Sequence, residues 1–347
     1  MTTVAGIKRK KLLRPVHIIS KIPLAAKIRS ISLVLACSLL LQIVLQACES
    51  PTARGVSTLP PYQAPTVIVT PVVSPPSLPT LTTQPLSVPT SIPIFSSSQL
   101  VERPLAELSA DAQRFLEGRE GRWGVAVVVP GQKTIYTANG DQLMSMASVA
   151  KVAVMITVMD RAIKGNRRVT DRELQLMHPM ITTSDNDATT SLWNDLGGGT
   201  TVEAYLRSIG ITDIVPNSAD AWGASRASAK AVAMLFAKLA FGEILDQTNR
   251  ELALELLAGI IPSQQWGITA GIPEERPPGT IIGLKDGWYP AGYGWWVNSA
   301  GMLIPGDEHP AYTIAVLTRG QPSWEYGIAT IEGVAERVHA TLHGGWL

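Results

Sequence analysis

The chain has 347 residues, of which 46% are hydrophobic and 16% charged, with a formal net charge of +1. That composition excludes a disordered or fibrous chain and leaves room for one large domain or two ordinary ones, with a core that needs no staples. The near-neutral balance masks a basic first thirty residues followed by a mildly acidic remainder, so no nucleic-acid-binding face is expected.

Lys8, Arg9, Lys10, Lys11, Arg14, Lys21, Lys27 and Arg29 precede an apolar run from Ile31 to Leu45, which leads into Leu45-Gln46-Ala47-Cys48. A basic stretch, an apolar stretch of roughly fifteen residues and small residues before a cut follow the logic of a secretory signal. The end of the run resembles a bacterial lipobox, with Gln46 an unusual middle residue. The resemblance implies a signal peptide over residues 1–47 and a lipid on Cys48, the first mature residue. The alternative is an uncleaved anchor, which is disfavoured because a bilayer span takes about twenty apolar residues. Either way the remainder lies outside the cytoplasm, and the lipobox resemblance implies a lipid anchor at the outer face of the bacterial cytoplasmic membrane. Of the two cysteines, Cys37 lies in the apolar run and Cys48 at the cut, so the folded part has neither disulfide nor thiolate nucleophile.

Residues 48–98 are Pro-, Thr-, Ser- and Val-rich, and from Pro51 onward Arg54 is the segment's single charge. Such a stretch buries too little surface to offset its ordering entropy and reads as a disordered tether, on the order of 100 Å long at about 3.1 Å per residue. A low-complexity segment with no length requirement is the bland alternative.

The folded domain spans residues 99–347. Leu100, Leu105, Leu108, Ala112 and Phe115 recur at helical spacing and predict a helix over 99–118. Arg122–Val129 and Lys133–Thr137 predict a strand pair turned at Pro130-Gly131. Helical patterns follow at 148–164, 170–180, 185–196, 201–209, 226–241 and 245–260, and Thr170 with Glu173 forms a capping box. Strands return at 280–286, 294–304 and 311–318, and a helix over 324–342 closes the chain. This order predicts an α+β fold. An antiparallel sheet of about five strands, built from both ends of the domain, is covered by terminal helices, with a helical block inserted and the site between them.

Three short motifs occur in order: Ser148-Val-Ala-Lys151, Ser184-Asp185-Asn186 and Lys285-Asp286-Gly287. Ser148 falls at a predicted helix start, where backbone N–H groups and the positive dipole end can hold a developing oxyanion. Lys151 lies one turn along the same face, and a desolvated lysine near other cations acts as a neutral base. The Ser184 hydroxyl can relay a proton to a leaving amine, Asn186 offers an amide to a substrate carbonyl, and Lys285 supplies a second cation. The backbone N–H of Trp288 is the other candidate oxyanion donor. Asp185 reads as a helix cap.

Together the three motifs resemble the class A β-lactamase and penicillin-binding-protein family. The likeness extends over about residues 100–345, through Thr170-Asp-Arg-Glu-Leu174, Trp193-Asn-Asp-Leu-Gly-Gly198, Ala231-Val-Ala-Met234 and Leu317-Thr-Arg-Gly320. It implies Ser148 as nucleophile, Lys151 as its base, Ser184 as proton relay and Lys285 as the cation on the carboxylate side. Asn186, Asp286, Gly287 and Trp288 become substrate contacts. It also implies a monomer without cofactor or metal, and a small-molecule β-lactam or peptidoglycan peptide as substrate.

Two departures stand out. Asp286 occupies a position where the family has a hydroxyl, which would set a like charge against a substrate carboxylate, and no Arg or Lys occurs from Trp288 to Gly306. The loop Asp213–Ser225 contains no glutamate, so Asp220 is the candidate base for deacylation. Hydrolysis of the acyl-enzyme therefore separates the readings: a β-lactamase, a penicillin-sensitive D-alanyl-peptidase with slow deacylation and a non-catalytic peptidoglycan-binding module. Among the aromatics, Trp295 and Trp296 must face opposite sides of their strand, and Trp288 is expected to line the substrate site. His339 and His343, at i and i+4, have no third ligand following and are expected at the surface near the chain end.

Overall fold

The computed structural model describes residue 95 and residues 100–217, 221–242 and 244–344. The expected signal segment, Cys48, all of the expected tether except Phe95, and Asp220 lie outside the described residues.

The expected terminal helix is instead a strand followed by two helices. β1 (Val101–Pro104) pairs parallel to β3 (Thr134–Ala138), and then α1 (Leu105–Leu108) and α2 (Ala110–Glu117) follow. Ser109 divides the two helices by taking an extended conformation and accepting a hydrogen bond from the Ala112 N–H, which is the geometry of an N-cap. A helical period of apolar residues thus spans a strand and a break. Pro104 immediately before α1 enforces the change, since the residue ahead of a proline avoids the helical region.

β2 (Arg122–Val129) and β3 form the expected hairpin across a Pro130–Gln132 turn. The helical block consists of α3 (Ala150–Lys164), α4 (Asp171–Thr182), α5 (Asn186–Leu196), α6 (Gly199–Ser208), α7 (Ala229–Phe241) and α8 (Gln247–Ala258). Both partners of the Thr170–Glu173 capping box are present at the start of α4. α3 is buried nearly all round, as an apolar helix without a polar stripe must be.

β7 (Ile281–Ala291), β8 (Gly294–Ile304) and β9 (Tyr312–Arg319) then complete a six-stranded sheet of order β1-β3-β2-β9-β8-β7, antiparallel everywhere except β1–β3. α9 (Trp324–His343) covers one face together with α2, while α7 and the helical block cover the other. β7 is an edge strand, and it runs past the start of the helical block. A small second sheet, β4 (Met144–Ser145), β6 (Arg226–Ala227) and β5 (Ile214–Val215), was not visible in the sequence pattern, because two-residue strands carry no period.

Candidate active site

Ser148 lies in a 3-10 turn, Ala147–Val149, that runs into α3. The turn is fastened on several sides. Asn298 of β8, fully buried, donates from Nδ2 to the Ser145 carbonyl at 2.8 Å, while its Oδ1 accepts from the Thr318 N–H at 3.0 Å. The Met146 N–H donates to the Ser225 carbonyl at 2.8 Å, and the Ser145 hydroxyl to the Gly223 carbonyl at 3.1 Å. β7 closes the remaining side: a Cβ added at Gly287 would stand 2.6 Å from the Ser148 nitrogen and 2.8 Å from the Met146 oxygen. Glycine at 287 is thus required for the edge strand to meet the turn that carries Ser148, and no side chain from that position reaches a substrate.

Two of the five non-glycine residues with left-handed backbone among the described residues lie here, the others being Lys133, Asn139 and Asn166 in turns elsewhere. Ala147 has φ 48° and Ser184 φ 60°, left-handed values that non-glycine residues rarely adopt and that persist where surrounding contacts compel them. At Ser184 the turn directs the carbonyl back at Lys151, and Asp185 caps α5 by accepting from the Ala188 N–H at 2.7 Å.

Lys151 and Lys285 are both fully buried. The Lys151 Nζ meets the Ser184 carbonyl at 2.5 Å, the Ser184 hydroxyl at 2.9 Å and Asn186 Oδ1 at 2.9 Å. Two of these partners, the carbonyl and the amide oxygen, can only accept. They take both N–H groups of a neutral amine, so the third contact reads in either direction: an ammonium donates to Ser184 Oγ, whereas an amine receives that hydroxyl's proton. The pair is already arranged for proton exchange. Burial, then repulsion from Lys285, lowers the Lys151 pKa to about 7, opposed only by Asp185. Burial likewise lowers Lys285 to about 8. Lys151's hydrogen bonds go to residues 184 and 186 rather than to Ser148.

The Trp222 ring covers Lys151, with Nζ 4.8 Å from its centroid, and is held by a hydrogen bond from its Nε1 to Thr190 Oγ1 at 3.1 Å. Nothing in the sequence set this tryptophan apart from the other eight. A pocket of about 360 Å³ opens over Ser148, lined by Ala147, Asn186, Trp222, Gly223, Ala224, Trp288 and Tyr289. No carboxylate of the described residues lines it. Asp220, the candidate deacylation base, lies outside them.

The placement of Asp286 corrects the sequence expectation. Strand residues alternate between faces, and here Lys285, Gly287 and Tyr289 face the Ser148 side while Asp286 points to the opposite face, toward Ser299, Trp266 and Glu332 of α9. It is fully buried and cannot meet a substrate carboxylate. Burial pushes its pKa well above the usual carboxylate range. Ser299 and the Trp266 N–H pull it down, but neither carboxyl oxygen has a partner at full hydrogen-bond geometry. Burial thus favours the protonated form of Asp286, and its position on the opposite face keeps it from setting a like charge against a substrate.

Trp288 borders the pocket, yet its ring belongs to a cluster on that same opposite face, 5.6 Å from Trp266 and 6.4 Å from Trp324 between centroids. Trp295 and Trp296 divide between the two faces as alternation requires. His339 and His343 are not at the surface: both are buried, His343 Nδ1 lies 3.2 Å from His339 Nδ1, and the His309 ring stands 5.2 Å from that of His343. The described residues hold no group of three or more His, Cys, Asp or Glu side chains placed to bind a metal ion.

Comparison with known proteins gives a consistent picture. The profile of the beta-lactamase enzyme family matches residues 107–175 and 172–342. A beta-lactamase of Citrobacter koseri is 27% identical over 265 residues, an alignment covering 65% of this chain and 86% of that protein. The solved structure of the class A beta-lactamase of the last common ancestor of Gram-negative bacteria superposes with a TM-score of 0.58 at 25% identity, covering 69% of this chain and 100% of that one. A beta lactamase from Xanthomonas campestris pv. campestris superposes with a TM-score of 0.59 at 18% identity, over 69% of this chain and 98% of that one, a likeness of fold.

Proposed function

Because this chain belongs to the beta-lactamase enzyme family, we propose that it is a serine hydrolase in which Ser148 is acylated by a β-lactam or a D-alanyl peptide. The observation that carries this reading is the Lys151 amine, held by Ser184 and Asn186 one turn after Ser148, with its pKa lowered to about 7. The Ser148 oxygen attacks the substrate carbonyl carbon, and its proton passes to Lys151. The oxyanion sits against the backbone N–H groups of Ser148 and Trp288. As the carbon–nitrogen bond breaks, the Ser184 hydroxyl protonates the departing nitrogen and is itself reprotonated by the Lys151 ammonium, which carries the proton taken from Ser148, with the Lys285 charge favouring that transfer. Lys285 supplies the positive field for a substrate carboxylate.

Water then releases the acyl group, with Asp220 as the candidate base. A second reading, a penicillin-sensitive D-alanyl-peptidase with slow deacylation, is favoured by a pocket wall of Trp222, Gly223 and Ala224 that carries no carboxylate among the described residues. Incubation with a labelled penicillin and a chromogenic cephalosporin, with Ser148→Ala as control, separates the readings. Rapid turnover lost in the variant supports the hydrolase, a lasting Ser148 adduct supports the peptidase, and absence of any adduct leaves a binding module. The N-terminal segment adds the proposal that the domain is exported and held to the membrane through a lipid on Cys48. Under it, Cys48→Ser moves the protein from the membrane to the soluble fraction.

A further inference from the structure

The face of the sheet that carries Ser148 continues beyond the pocket as a row of rings and cations. Tyr289, which lines the pocket, lies opposite Trp296 across β7 and β8, and their rings stack 5.7 Å apart at 14°. The Arg319 guanidinium stands 5.0 Å from the Trp296 ring and 4.8 Å from Tyr293, a residue 57% exposed at the β7–β8 turn. Arg122 is directly opposite Arg319 across β2 and β9, so the two share that face.

Two like charges at directly opposed strand positions destabilise a sheet unless an anion lies between or beside them. Neither arginine has a carboxylate in ion-pair distance or a side-chain hydrogen bond among the described residues, although most of the molecule's other surface arginines do. Contact with two rings, themselves inclined at 61°, holds the Arg319 guanidinium in place, and its N–H groups are left to donate to an anion, for which the fork of a carboxylate is the matching shape. Lys285, by contrast, is fully buried. At about 3.4 Å per residue, Lys285 and Tyr289 lie about 7 Å to either side of Gly287, hence on opposite sides of Ser148. The site therefore has two cationic ends with the nucleophile between them.

We propose that the substrate pocket extends past Tyr289 onto Arg319 and Arg122, and that it selects acyl donors whose acyl side chain ends in a carboxylate, additional to the carboxylate on the Lys285 side. This rests on Ser148 being the acylated residue. It makes Arg319 a specificity-determining residue and the natural substrate a dianion, as a peptide with an acidic side chain would be.

The test uses two penicillins that differ by one charge: 6-aminopenicillanic acid carrying an adipoyl side chain, and the same compound as the side-chain monomethyl ester. Rates of Ser148 adduct formation are followed by mass spectrometry in the intact protein, and dissociation constants by calorimetry in Ser148→Ala. The free acid is expected to be preferred roughly tenfold or more in both measurements, as a charge-assisted hydrogen bond implies. Arg319→Gln brings the ratio close to one, and Arg319→Lys restores part of it. A structural role for Arg319 instead changes both compounds alike. Equal handling of acid and ester by the unaltered site, or a ratio that survives both Arg319→Gln and Arg122→Gln, overturns the proposal. The calorimetric ratio reads it even if no adduct forms, a result that would instead remove the acylation reading.

Discussion

Two pairs of buried basic groups occur in this molecule, and they are chemically alike. Lys151 and Lys285 meet beside Ser148, whereas His339 and His343 meet at the end of α9. Burial lowers the pKa of all four, and mutual repulsion lowers it further in Lys151 and His339. What separates them is their surroundings. The lysines lie behind a pocket, with left-handed residues on both chain segments that reach them and with a partner hydroxyl that can either give or take a proton. The histidines form a closed chain: His343 Nε2 donates to the Pro310 carbonyl at 2.9 Å, so its Nδ1 must accept from the Nδ1–H of His339. A perturbed pKa therefore marks a site only where strain, access and an exchangeable proton accompany it.

The comparison is tested hardest at the lysine pair. Lys151→Ala should slow formation of the Ser148 adduct by about 10²–10⁴-fold, the usual worth of a general base, while thermal unfolding stays cooperative. A variant that acylates within tenfold of the parent would place the base elsewhere. Gly287→Ala, which drives a methyl group into the Ser148 backbone nitrogen, should cost roughly 10²-fold in the same assay by displacing an oxyanion donor, with far-ultraviolet circular dichroism retained.

At the histidine pair the effect is on stability. The unfolded chain protonates each histidine near pH 6.5, while the folded protein holds His339 down at about 4. The unfolded state thus binds more protons in between: stability is complete above pH 6.5 and falls as pH drops toward 4, by about 3 kcal/mol for His339. His339→Gln should flatten that slope in urea unfolding measured from pH 7 to 4.5, and an unaltered slope would refute the assignment. Asn298→Ala, which frees the Ser145 carbonyl, should lower stability by about 1–3 kcal/mol. The smallest change is expected for Asp286→Asn, since the substitution keeps the side chain's size and shape on the face away from substrate. Acylation should stay within about threefold, and a marked gain in affinity for anionic substrates would return Asp286 to the site.

Much of this was legible before the fold was known. Ser148, Lys151 and Ser184 announced themselves by order and spacing, and the long helices and β7–β9 by their periods. Three things were not legible, for distinct reasons. β1 hid inside a helical period, because apolar residues on a short strand and a following helix mimic one continuous stripe. Trp222 and Asn298 act through tertiary position, and neither carries a local pattern that spacing could reveal. Asp286 could be misread because a motif fixes which residue is present but not which face of the strand it occupies, and only register against β8 and α9 settles that.

The most direct test of the account is the pH dependence of Ser148 acylation under single-turnover conditions. With Lys151 acting as a neutral amine, the rate constant should rise through an apparent pKa of about 7 and decline above about 8 as Lys285 loses its charge. In Lys151→Ala the rising limb should disappear. A rate independent of pH from 5 to 9, or a rising limb that persists in Lys151→Ala, would contradict it.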